Sequence, residues 1–111
     1  MATTLDFSEI LAKMLEAAEG ALSDKWPDIR DLAISSTKTL AQNIIDIEDL
    51  IISGVISKEQ ARLKLDIQKN AFKIMLLSEQ GLGILAVEGA LNAMLSVVKD
   101  VVNTAIGFIL L

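Results

Sequence analysis

IMLLSEQGLGILAVEGALNAMLSVVKDVVNTAIGFILL, residues 74–111, is the stretch that decides how this chain folds. Of its 38 residues, 24 are Ala, Val, Ile, Leu, Met or Phe. Only Glu79, Glu88, Lys99 and Asp100 are charged there, whereas the first 73 residues carry the other twenty-one charges. A surface this apolar has to be covered by the chain's own fold, by another subunit or by lipid.

The glycines inside the stretch open two readings. Gly81 and Gly83 either make a turn or lie within a helix, where the pair costs on the order of 2 kcal/mol relative to alanine. With a turn, the spacing predicts an all-α antiparallel bundle of four helices, at about 7–22, 27–53, 58–80 and 84–109. Without one, the last two fuse into a single long kinked helix of about 80 Å. Asn70, Gly81, Asn92 and Asn103 fall eleven apart, a period that keeps one face aligned along such a helix. No polar N-cap precedes Ile84, which also favours continuity.

Upstream, the punctuation is clearer. Asp6 with Glu9 resembles a capping box. Phe7, Ile10, Leu11, Met14, Ala18, Ala21 and Leu22 then recur at threes and fours, an apolar stripe facing a core. Ser23–Pro27 reads as a break, with Pro27 opening helix two and Asp28 and Asp31 in its first turn. The middle of that helix is polar (Ser35-Ser36-Thr37-Lys38-Thr39); these hydroxyls are expected to bond back to carbonyls or to face water. Gly54 is the expected left-handed turn after helix two. Ser57-Lys58-Glu59-Gln60 is a second capping box. Asp46, Glu48 and Asp49 before the turn would then lie near Lys58, Arg62 and Lys64 after it.

At 111 residues the expectation is one domain, 1–111. Mean hydropathy is +0.51, which argues against disorder. With four aromatic residues, the core must be aliphatic. A net charge of −5 disfavours nucleic acid and anionic membrane surfaces. Met1–Asp6 has no basic segment leading into an apolar run, so no secretory signal is read and the default expectation is a cytoplasmic location.

Little here supports catalysis. There is no His, Cys or Tyr. Glu88 stands alone among apolar neighbours and is the one candidate base, but it also fits a narrow solvated stripe with Asn92, Lys99 and Asn103. Asp46, Glu48 and Asp49 crowd one turn and read as an acidic surface patch rather than a metal site. Lys58, Arg62, Lys69 and Lys73 form a basic stripe, interrupted by Asp66 and free of aromatics, that reads as a solvated face. No catalytic, cofactor-binding or metal-binding residue is therefore expected, and no cofactor.

What the tail suggests is association. Gly89-x-x-x-Ala93 and Ala86-x-x-x-Ala90 are small-residue pairs that let helices approach closely. The expected role is a non-enzymatic, self-associating structural or protein-interaction protein, a homo-oligomer and first a dimer. Its expected interface is Leu82, Leu85, Gly89, Ala93, Met94, Val98, Val101 and Val102, with Gly54, Gly81 and Gly83 as turns. The alternative is a membrane-active protein inserting residues 80–111 into lipid. Against it, Glu88 at the centre of a span costs roughly 2.5–3.5 kcal/mol, and flanking aromatic and basic residues are missing. A carrier of an apolar ligand between helices is a third reading.

Overall fold

The computed structural model describes residues 5–78, 82–107 and 110. Most of them are helical, with no strand among them. The segments are α1 (Phe7–Leu22), α2 (Trp26–Ile52), α3 (Lys58–Leu77) and α4 (Ile84–Ile106).

Helical assignment runs unbroken through a 3₁₀ turn, Ser23–Lys25, that joins α1 to α2. The described residues thus make three continuous helical runs, 7–52, 58–77 and 84–106, and not the four separated helices expected. The first run is not straight. At 1.5 Å per residue its 46 residues would reach about 69 Å, but the longest dimension of the molecule is 42 Å. The reversal is made at Ser23, whose φ is +42°. Pro27 follows within the first turn of α2 instead of opening it. A side chain in the left-handed region costs about 1 kcal/mol or more. Ser23→Gly is therefore expected to raise stability by up to about 1 kcal/mol, and an unchanged urea midpoint would show that Ser23 is unstrained.

Local signals hold elsewhere. Asp6 caps α1 by accepting from the Ser8 N–H at 2.9 Å, not from the Glu9 N–H that the expected capping box would use. Ser57 and Gln60 complete a reciprocal box: the Gln60 N–H donates to Ser57 Oγ at 3.1 Å, and the Ser57 N–H to Gln60 Oε1 at 2.8 Å. Gly54 has φ +76°. The Gly54 N–H bonds to the Ile51 carbonyl, and the Val55 N–H bonds to that of Leu50. This is the Schellman pattern that closes α2. Gly54→Val should destabilise by about 1–2 kcal/mol, since a β-branched residue does not tolerate that φ. A melting midpoint equal to that of wild type would remove the argument.

The segment between α3 and α4 decides between the two readings. Leu82 and Gly83 are non-helical, and α3 packs beside α4, so the long fused helix is excluded. Gly83 has φ −92° and ψ 164°, an extended N-cap conformation open to any residue. A methyl group added there meets no atom within 4 Å. Alanine at position 83 would thus carry no backbone strain; Gly81 lies outside the described residues.

α1 packs on α2 and α4, α3 packs on α2 and α4, and α2 also meets α4 across the centre. α1 and α3 do not meet among the described residues. Ile10, Met14 and Ala18 of α1, Leu40 and Ile44 of α2, Leu65 and Leu76 of α3, and Leu91, Met94 and Val98 of α4 share one aliphatic core. No helix among the described residues is long and apolar enough to cross a membrane.

Candidate functional site

α4 is apolar around most of its circumference, so burial has to choose a side. Val87, Leu91, Met94, Val98 and Val102 are completely or almost completely buried in the chain's own core, and Leu82 is 8% exposed. Leu82, Met94, Val98 and Val102 were expected at an interface between subunits; the fold instead spends them inside one chain. On the outer side an uncharged ridge remains, one residue in every four: Leu85, Gly89, Ala93, Val97 and Val101. Leu85 is 81% exposed, Val97 48% and Val101 43%. Gly89 is exposed and Ala93 half-buried. Four of the eight expected interface residues lie on this ridge. Val97 was missed, although counting in fours from Leu85 reaches it.

Glu88 leaves the ridge clear of charge because it points to α3, where its carboxylate lies 3.6 Å from Lys73 Nζ. Its side chain is 44% exposed. The geometry is a surface ion pair, unlike the isolated desolvated base that proton transfer would need. Lys69 is likewise 3.9 Å from Asp66, so the basic stripe of α3 is partly neutralised. Asn103 Oδ1 accepts from the Leu110 N–H at 2.9 Å.

α3 carries a second apolar stripe, which was not expected from the sequence. Leu63, Ile67 and Ile74 are all more than half exposed on its outer face. Their spacing of four and seven would have shown it. Seven charges lie on α3, five basic and two acidic.

The hydroxyl run in α2 divides three ways. Thr39 Oγ1 donates to its own helix at the Ser35 carbonyl, 3.2 Å away, as expected. Thr37 is fully buried and its hydroxyl points across the core to Met94 Sδ at 3.9 Å. Ser36 is 8% exposed, and its Oγ has no hydrogen-bond partner among the described residues. Ser36 lines a cleft between α2 and α3 with Leu40, Ala71, Phe72 and Met75. Both buried hydroxyls correct the expectation that the run faces water or bonds back.

Glu48 is a further correction. It is fully buried, so Asp46, Glu48 and Asp49 are not one surface patch. The signal was present: Glu48 stands four residues after Ile44 and eight after Leu40, on the core-facing register of α2. Asp46 and Lys64 do line one groove of the α2–α3 hairpin, next to Asn43 Nδ2, which donates to Gln68 Oε1 at 2.6 Å. Among the described residues, no three of His, Cys, Asp and Glu converge where a metal ion would bind.

No family model, no curated protein and no solved structure matches this chain.

Proposed function

We propose that this chain is a non-enzymatic, self-associating protein, an up-down antiparallel bundle of four helical segments that pairs with a second copy through α4. The observation that supports it is the ridge. A two-fold interface must be its own complement. Centred on Ala93, an antiparallel copy sets Leu85 against Val101 of the partner subunit and Gly89 against Val97 of the partner subunit. Gly89 makes room for Val97, Leu85 and Val101 meet as apolar neighbours, and no like charges on the ridge are brought together. Ridges of this four-residue period pack at about −50°, and the small residues at the crossing let the backbones approach.

The α3 stripe is less suited to a copy of itself, because its charges are mostly of one sign. Insertion of residues 80–111 into lipid is also less favoured. It would require Met94, Val98 and Val102 to leave the core. Multi-angle light scattering at micromolar concentration is expected to give twice the 12.0 kDa of one chain. A monodisperse monomer would overturn self-association. Stable binding to neutral liposomes would instead support the lipid reading.

A further inference from the structure

The Ser36 cleft is not used by the α4 pairing, and it has the parts of a small-molecule site. Its volume is about 210 Å³. That is under the roughly 300 Å³ of drug-sized pockets, but above the roughly 150 Å³ of a dry engineered cavity that holds benzene. Leu40, Ala71, Phe72 and Met75 make its walls apolar. Four polar residues interrupt them, Ser35, Ser36, Thr39 and Gln68; Thr39 Oγ1 is committed to the Ser35 carbonyl, and two of the four can serve a ligand. One is the Ser36 hydroxyl, buried and without a hydrogen-bond partner among the described residues. The other is Gln68, whose Oε1 is occupied by Asn43, so that its uncommitted atom is the Nε2 donor.

A buried hydroxyl without a partner is unfavourable unless something completes it. Here the cleft offers an apolar hole of limited size, and no acceptor among the described residues lies within hydrogen-bond distance of Ser36 Oγ. We propose that this cleft binds a small neutral molecule with an apolar body and one hydrogen-bond acceptor, of the size and kind of an aromatic ketone. The Ser36 O–H donates to the acceptor, Gln68 Nε2 assists, and Phe72 and Met75 cover the body. Charged ligands are disfavoured because no charged side chain lines the cleft.

Acetophenone and α-methylstyrene are suitable probes, because they share a shape and differ in C=O against C=CH₂. Both are titrated into the full chain and followed by ¹H–¹⁵N chemical shifts. The expected result is saturable shifts confined to residues 35–40 and 68–75, with acetophenone binding three- to tenfold more tightly. Ser36→Ala should erase that preference and leave α-methylstyrene binding as it was. Ala71→Leu, at an exposed position, should block both probes while the fold is retained. If the two probes bind equally, the acceptor is not recognised and the proposal fails; if neither shifts those residues, the site is absent. If Ser36→Ala leaves the preference intact, the hydroxyl serves its own helix and the assignment fails.

Discussion

Met94→Ala is expected to lower the stability of the chain by about 2–5 kcal/mol, the usual range for deleting a buried long side chain. Met94 is completely enclosed, at the crossing where α4 meets α2. Alanine leaves a cavity there that the surrounding helices fill only in part. It also removes the sulfur that faces the buried Thr37 hydroxyl. That hydroxyl is then left in an apolar space, which adds to the loss. The cost arises within one chain. Urea denaturation at two protein concentrations should therefore show the same loss relative to wild type at both. An unchanged midpoint, or a loss that disappears at high concentration, would mean that Met94 faces another subunit after all.

Ala93→Glu, one residue away, is expected to do the opposite: leave the fold intact and abolish pairing. Ala93 is half-buried on the outer side of α4, so a longer side chain has an exit to solvent. Glutamate is also a good helix former. In the proposed dimer, position 93 lies on the two-fold axis. The substitution places two carboxylates against each other in a contact that excludes water. Burying charge without a partner costs several kcal/mol, which weakens association by on the order of a hundredfold or more. Light scattering should report a single chain, with circular dichroism unchanged. If the mass stays that of a dimer, the α4 interface is wrong. Ile67→Glu would then be the variant to break pairing through α3, and under the α4 reading it leaves the dimer untouched.

These two neighbours show where sequence reading loses its hold. Met94 and Ala93 both stood among the expected interface residues, because α4 is apolar on nearly every side. Apolar spacing aims a helix at the core only when its other side is polar. Along α1 that condition holds, and Ile10, Met14, Ala18 and Leu22 are buried as the spacing requires. Along α4 it fails, and the choice between faces falls to the shape of the groove offered by the other helices. Glu48 and Thr37 fail for the opposite reason. Their register placed them inside, but their polarity suggested the surface.

The sequence by itself determined the helical class, the cap at Asp6, the reciprocal box at Ser57 and Gln60, and the left-handed close at Gly54. Each depends on hydrogen bonds and dihedral angles spanning no more than about six residues, so a short window contains the whole cause. Only the tertiary structure decided that Ser23 carries a reversal within continuous helical backbone, and that α3 and α4 are separate helices. Burial, too, was a tertiary choice: Val87, Met94 and Val98 go inward, while Leu85, Gly89, Ala93 and Val97 stay outside. Those outcomes depend on which surfaces meet when residues far apart in the chain compete for one aliphatic core, a competition that no local pattern records.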